Sequence, residues 1–225
     1  MVRWSVTQIP IGIVHTDERI VVVSKAPGVP SQPDPSGDPS ALELAAERVG
    51  GRLFPVHRID RPASGLLLFA RTASAAAELS ALFRCGAVQR RYWAIVAGRV
   101  EPTAGSLQNP LNHDRSRNRS VIRPGGKPAS LTYEVRAIGQ RYTLLEITLQ
   151  TGRHHQIRAQ LAHAGWPIRG DLKYGARRSL PGGGISLHAV SLLLPDSYPG
   201  RPLSFSATPP EDTLWHELTV TLFDE

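Results

Sequence analysis

The sequence predicts one domain, residues 1–225, in which β-strands outnumber α-helices. Short β-branched or apolar runs recur along the chain, whereas only three segments have helical spacing. No internal repeat and no low-complexity linker divides the chain. With 225 residues, of which 41% are hydrophobic, the protein can bury an ordinary core.

The amino-terminal part alternates strands with helices. Residues 20–25 are β-branched and stop at a Pro-Gly turn, which predicts that the first strand begins near residue 20. Ser40 and Glu43 have the spacing of a capping box, so we expect a helix of about ten residues to follow. Residues 66–71 show no polar alternation, which predicts a strand covered on both faces, and the Ala-rich residues 72–84 predict a second helix.

Strands predominate in the remaining chain. Residues 91–98, 131–138 and 142–150 are predicted strands. Between them, residues 112–127 carry five cationic side chains and two glycines without an apolar period, so we predict a mobile basic loop.

The third predicted helix follows a turn at Gly152. Ile157 and Leu161 have helical spacing and should pack inward. If the helix includes His154, that residue and Arg158 lie one turn apart on the same side, where an arginine fork could hold a carboxylate or a phosphate.

Composition limits the kinds of partner and location. Lys and Arg exceed Asp and Glu by 26 to 19, and the net charge of +7 favours a polyanionic partner, although a merely solvated basic surface has the same composition. The single cysteine, Cys85, excludes an intramolecular disulfide and a multi-cysteine zinc site. Without a leader-like apolar segment or a run of 18 apolar residues, the chain is predicted to be cytoplasmic and not membrane-bound.

The loop 57–65 contains the strongest candidate for catalysis. Asp60 lies between Arg58 and Arg61, close to His57, and a carboxylate among positive charges stays ionised. Loops held by a buried strand often carry catalytic groups. From these residues alone, a structural salt bridge at the entrance of the strand explains Asp60 equally well.

Five motifs occur in order along the chain, and together they identify a family. They occupy residues 25–28, 57–65, 91–98, 126–133 and 151–158. In this order they resemble the motifs of the RluA-like pseudouridine synthase family. The departures from the family motifs are mild. Ala26 is inserted in the Lys-Pro-Gly turn, His154 stands where threonine is common, and Gln160 stands where histidine is common. The last two substitutions bear on substrate choice.

The resemblance implies the fold and the reaction. We expect an α+β pseudouridine synthase-like core, with a mixed and largely antiparallel sheet flanked by helices and a central active-site cleft. The chain would be the catalytic domain alone, without an amino-terminal S4-type module. Its substrate would be a uridine in tRNA or ribosomal RNA, isomerised to pseudouridine without a cofactor or metal, and a monomer is the default expectation.

The resemblance also implies roles for individual residues. Asp60 would be the catalytic carboxylate, either adding to C1′ or accepting the C2′ proton. Tyr92 would stack on the uracil, and Arg158 would pair with Asp60. Further residues are predicted to contact RNA: His57, Arg58, Arg61, Arg115, Arg117, Arg119, Lys127, Arg153, His154 and Ile157.

Two other functions compete with this hypothesis. A non-catalytic RNA-binding or ribosome-assembly protein on the same fold would use the positive charge, but it has no need of a carboxylate that repels phosphate. A metal-dependent phosphodiesterase could draw ligands from His57, Asp60, His154, His155, His163 and Asp171. The sequence contains no HExxH motif or closely spaced aspartate pair, which argues against it.

Overall fold

A computed structural model describes residues 10–196, 198 and 203–220. The described residues up to Arg90 form one compact unit with those of His188–Pro210, and those of Arg91–Leu187 form a second with those from Glu211 onward. We call these the first and the second unit. The single domain expected from the sequence stays a prediction.

The described elements combine eleven strands with four α-helices. In chain order they are β1 (Ile11–Thr16), β2 (Ile20–Lys25), α1 (Ala41–Val49), β3 (Phe54–Pro55), β4 (Ser64–Ala70), α2 (Ala73–Arg84), β5 (Gln89–Ala97), β6 (Ala104–Asp114), β7 (Arg119–Ile122), β8 (Lys127–Ile138), β9 (Tyr142–Leu149), α3 (Gln156–His163), β10 (Leu187–Leu193), β11 (Ser204–Ser206) and α4 (Thr213–Val220). The α+β class predicted from the sequence is confirmed.

The first unit contains a mixed sheet. Strand β2 pairs antiparallel with β1 and with β4, and β4 pairs in parallel with β10. All seven residues of β4 are buried, as the uninterrupted apolar run predicted. The side chain of Ser40 and that of Glu43 form the predicted capping box at the start of α1. The prediction that the first strand begins near residue 20 is wrong, because β1 precedes it in a sequence too mixed in polarity to stand out.

The second unit contains an antiparallel sheet in the order β5-β9-β8-β6-β7. Helix α4 packs on it through Trp215 and Leu218, which contact Ile95 and Leu144. Taken one by one, the sheet of the first unit is mixed and that of the second is antiparallel, in agreement with the arrangement expected from the resemblance.

The basic segment 112–127 is not the loop predicted. Its first residues continue β6, residues 119–122 form β7, and Lys127 begins β8. The side chains of β6 are mostly exposed in alternation with half-buried ones, so its sequence lacks the apolar period of a strand. Pairing with β7 and β8 supplies the backbone hydrogen bonds that stabilise it.

Strands β4 and β10 lie very close to each other at Gly65. Its φ of 108° lies in the region that favours glycine, and an added Cβ would lie 2.5 Å from the amide nitrogen of Ala189. The preceding residue, Ser64, is in hydrogen-bond contact with His188, its partner in the register. Gly65 therefore allows the strand that follows the Asp60 loop to pair with β10.

Replacing Gly65 with alanine should lower the free energy of unfolding by about 3 kcal/mol or more, because backbone strain and a clash with backbone atoms add together. Gly51→Ala is the matched control, since Gly51 has a similar φ of 105° but no atom within 4 Å of the added Cβ. Urea unfolding of both variants tests this. Equal losses would show that the close approach has no energetic effect.

The buried ring of His188 makes the first unit sensitive to acid. Its Nε2 donates to the Ala207 carbonyl oxygen at 3.0 Å, so Nδ1 accepts from the Ser64 hydroxyl at 2.9 Å. Burial lowers the pKa of His188 from 6.5 to about 4, although the hydrogen bond to Ala207 acts in the opposite direction. Between these pH values the unfolded chain binds more protons than the folded protein.

The free energy of unfolding should therefore fall as the pH drops from 6.5 towards 4, with His188 contributing up to about 3 kcal/mol of the loss. Urea titrations at pH 7.5 and pH 5 should show a smaller pH-dependent loss in His188→Gln than in the wild type. The variant His163→Gln, at an exposed position, should keep the wild-type dependence. The same pH dependence in all three proteins would contradict the assignment.

Candidate active site

Asp60 lies in the segment that joins β3 to β4. Its side chain is half-buried, while Ile59 and Ala63 on either side are buried. The Ser31 hydroxyl donates to the Ile59 carbonyl oxygen at 2.7 Å and accepts from the Ile59 amide at 3.2 Å. The Ala63 amide closes a turn by donating to the Asp60 carbonyl oxygen at 3.0 Å. The backbone on both sides of Asp60 is thus held in place.

A buried lysine supports this turn from within the first unit. The Nζ of Lys25 donates to the carbonyl oxygens of Ala26, Arg61 and Ala63 at 3.0, 3.1 and 2.7 Å. Lys25 is 1% exposed, and burial lowers its pKa to about 7, whereas the negative charge of Asp60 acts to raise it. Lys25 therefore attaches the loop to β2, and in its protonated form it interacts electrostatically with the Asp60 carboxylate.

Arg61 is held by the protein's own acidic residues. Its Nε donates to the Gly28 carbonyl oxygen at 2.9 Å, and its two terminal nitrogens contact the carboxylates of Asp34 and Asp38. The hydrogen bond from Arg61 is the main cause that lowers the pKa of Asp38. These contacts connect the Asp60 loop to residues 28–38, so the RNA contact predicted for Arg61 would compete with two carboxylates.

The ring of His57 makes its contacts inside the first unit. Its half-buried ring stacks on Phe83 with 4.4 Å between ring centroids, and its Nε2 accepts from the Leu68 amide at 2.9 Å. Burial, aided by the positive charge of Arg90, lowers the pKa of His57 to about 3. The ring is therefore neutral at physiological pH, and its predicted contact with RNA stays a prediction.

In the second unit, Arg158 forms a buried ion pair that the sequence analysis did not foresee. Its Nε and Nη2 donate to the two carboxylate oxygens of Asp171 at 2.7 and 2.8 Å, and the two side chains are 4% and 1% exposed. Its guanidinium carbon also lies 4.9 Å from the centre of the Tyr174 ring. The pairing of Arg158 with Asp60 stays a prediction. The sequence offers Asp171 only as a possible metal ligand. Its pairing with Arg158 leaves no local pattern, because the two residues are thirteen positions apart.

The prediction that His154 and Arg158 share one side of a helix is wrong. Helix α3 begins at Gln156, and the residue before it, His155, has a left-handed φ of 49° that turns the chain. The side chain of Gln156 accepts from the Thr151 hydroxyl and the Arg153 amide, which fixes the turn before the helix. His154 lies beside Ser120 of β7 instead.

The other predicted site residues fall into two groups. Arg58, Arg115, Arg117, Lys127 and Arg153 are exposed, as RNA contacts must be. Tyr92 and Ile157 are 7% and 5% exposed, and Arg119 is half-buried with its guanidinium carbon 5.1 Å from the centre of the Tyr174 ring. Their roles towards RNA remain predictions.

The described part of the chain shows neither a cluster of metal ligands nor a membrane-spanning helix. In residues 10–196, 198 and 203–220, no three His, Cys, Asp or Glu side chains are grouped as a metal site would need. Within the same residues, no helix is long and apolar enough to cross a membrane.

Comparison with known proteins establishes the family. Residues 19–163 match the family model described as RNA pseudouridylate synthase. The chain is 32% identical to a protein of Vibrio vulnificus named ribosomal large subunit pseudouridine synthase D, over 98% of this chain and 73% of that protein. It is 42% identical to an uncharacterized RNA pseudouridine synthase of Chloroflexus aurantiacus, over 73% of this chain and 53% of that protein.

Solved structures show the same fold. Human RNA pseudouridylate synthase domain containing 4 is 24% identical and superposes with a TM-score of 0.75, covering 94% of this chain and 93% of the human one. The fold class is thus that of a pseudouridine synthase domain. From its sequence matches, the chain belongs to the RNA pseudouridylate synthase family, whose members are isomerases that act on RNA.

Replacing Asp171 with asparagine should lower the free energy of unfolding by about 3 kcal/mol, because it removes the charge of a carboxylate that binds the buried Arg158 guanidinium through two hydrogen bonds. Asp212→Asn is the matched control, since the Arg169–Asp212 pair has the same bidentate form but is 19% and 29% exposed. Its loss should be smaller because water screens the pair. Urea unfolding compares the variants, and a larger loss in Asp212→Asn would contradict this account.

Proposed function

We propose that this protein converts one uridine of ribosomal RNA to pseudouridine, with Asp60 as the catalytic carboxylate. The main support is the way the Asp60 loop is held. Lys25 and Ser31 hold the backbone on both sides of the half-buried Asp60, and a catalytic group has to be held in one position to act. Family membership supplies the reaction class, and the position of Asp60 in the 57–65 motif points to this residue.

The reaction requires one bond to break and another to form on the same sugar. The N1–C1′ bond breaks, the detached uracil rotates while bound, C5 bonds to C1′, and the loss of the C5 proton is matched by a proton gained at N1. Ionised Asp60 either adds to C1′ as a nucleophile, and the resulting ester bond breaks as C5 bonds to C1′, or accepts the C2′ proton and returns it to C2′ in that same bond-forming stage. Both routes need the carboxylate charged, and the protonated form of Lys25 favours that state.

Arg158 and Tyr92 are proposed to complete the chemistry. The bidentate contact with Asp171 fixes the plane of the Arg158 guanidinium, and the resemblance assigns it the task of aiming the Asp60 carboxylate. Tyr92 offers an aromatic ring on which the uracil can stack. A flipped base costs a few kcal/mol to unstack, and such a ring can offset part of that cost.

Ribosomal RNA is the favoured substrate because several relatives carry that target in their names. The Vibrio vulnificus relative and that of Yersinia pestis are both named for the ribosomal large subunit. The alternative substrate is tRNA, whose loops offer the same unpaired uridines. We further propose that the protein acts as a monomer in the cytoplasm, where both RNAs occur.

Asp60→Asn keeps the shape of the side chain but removes its charge, so it should bind RNA and lose product formation by about 100-fold or more. Purified protein in EDTA would be incubated with unmodified ribosomal RNA and tRNA, and pseudouridines mapped by carbodiimide adduct stops in reverse transcription. The exposed Asp196→Asn, in the same unit, should retain activity.

The position of the stop would identify the substrate. Turnover by Asp60→Asn would refute the assigned catalytic residue. Tight binding of both RNAs by the wild type without any stop would favour the non-catalytic RNA-binding or ribosome-assembly function instead.

A further inference from the structure

Four aromatic rings are in contact in the second unit, and we call them the ring column: His113, His154, His155 and Tyr174. The centroids of His113 and His154 are 4.0 Å apart with the rings tilted by 34°. Those of His154 and His155 are 3.8 Å apart at 22°, and Tyr174 meets His155 edge-on at 5.6 Å. The column connects strand β6 to the residues that precede α3.

Hydrogen bonds hold the inner part of the column. The Ser120 amide donates to the Tyr174 hydroxyl oxygen at 2.7 Å, and Nδ1 of His155 lies 3.0 Å from the same oxygen. The Ser120 hydroxyl donates to the His154 carbonyl oxygen at 2.5 Å. His155 and Tyr174 are 8% and 5% exposed, so these rings belong to the core of the unit.

The outer end of the column differs, because His113 is exposed. In the hairpin register it lies opposite Ser120, the residue that holds the inner rings. One face of its ring is covered by His154, which itself is half-buried. An exposed ring that rests on a fixed support loses little conformational entropy when a second flat group stacks on it.

The turn that follows His113 carries exposed cations. Arg115 and Arg117 lie in this turn and are exposed, while the Asp114 carboxylate accepts hydrogen bonds from the Ser116 hydroxyl and the Arg117 amide. Arginines beside an exposed aromatic ring are the pattern that binds single-stranded nucleic acid, the cations taking phosphates and the ring taking a base. Because the arginines already supply charge, the specific contribution of His113 is its flat face.

We propose that His113, supported by His154, is a stacking platform for an unpaired RNA base outside the reacting uridine. The inference rests on the proposed function, since the base belongs to the RNA substrate. It assigns the hairpin of β6 and β7 two separable contributions, base stacking by His113 and phosphate contact by Arg115 and Arg117.

Binding of two fluorescently labelled probes separates stacking from charge. One probe is an oligouridylate of about twelve nucleotides, and the other has the same backbone with abasic sites. His113→Ala should weaken binding of the oligouridylate about 5-fold and leave binding of the abasic chain unchanged. His113→Phe should restore it, whereas His113→Gln, which keeps polarity without a ring, should not.

Two control variants test the contribution of charge and the specificity for position 113. Arg117→Gln should weaken binding of both probes and lower the slope of affinity against salt by about 1, which His113→Ala should not do. Gln108→Ala, at another exposed position of β6, should change neither the binding of the two probes nor the salt dependence. Equal loss on both probes, no loss in His113→Ala, or no binding of the oligouridylate by the wild type would overturn the platform.

Measuring pseudouridine formation in parallel keeps the two proposals apart. A wild type that modifies ribosomal RNA while His113→Ala binds the oligouridylate normally refutes only the platform. A wild type that binds through the ring of His113 but makes no pseudouridine refutes only the proposed activity.

Discussion

The hydrogen bonds of one buried lysine determine where the candidate catalytic carboxylate can lie. Lys25 donates to two carbonyl oxygens of the loop that carries Asp60, those of Arg61 and Ala63, and a carbonyl oxygen buried without a donor would be costly. Since Lys25 is the last residue of β2 and Ser64 is the first of β4, the loop is fixed to two neighbouring strands. Ser31 and Arg61 then attach its outer side to residues 28–38. The position of Asp60 thus follows from the sheet of the first unit.

Arg158 illustrates the same principle in the second unit. Burying a guanidinium is costly unless its charge and its donors find partners, and Asp171 supplies the opposite charge and accepts two hydrogen bonds. Tyr174 packs against this group and also joins the ring column through His155. The proposed catalytic arginine and the proposed RNA platform are therefore supported by one connected set of side chains.

The parts of the fold that were predicted correctly have local causes. The capping box at Ser40, the apolar run of β4 and the alanine-rich α2 can be recognised from short windows, because caps and burial leave short-range patterns. The site motifs were recognisable for the same reason, since residues 57–65 and 151–158 are contiguous. The predictions failed where backbone pairing decided the structure. Strand β1 and the hairpin of β6 and β7 are mixed or polar in sequence, and their partners lie elsewhere in the chain.

By itself, the sequence determined the family, the α+β class and the candidate carboxylate, because ordered motifs and periodicity persist in the linear chain. Only the tertiary structure decided which side chains support the site. Lys25 meets the carbonyl of Ala63 across 38 positions, and Ser120 meets His154 across 34. No local pattern encodes such pairs, because their geometry depends on how the strands align. The left-handed backbone at His155 likewise moved His154 out of the helix and into the ring column, where its neighbours are set by packing.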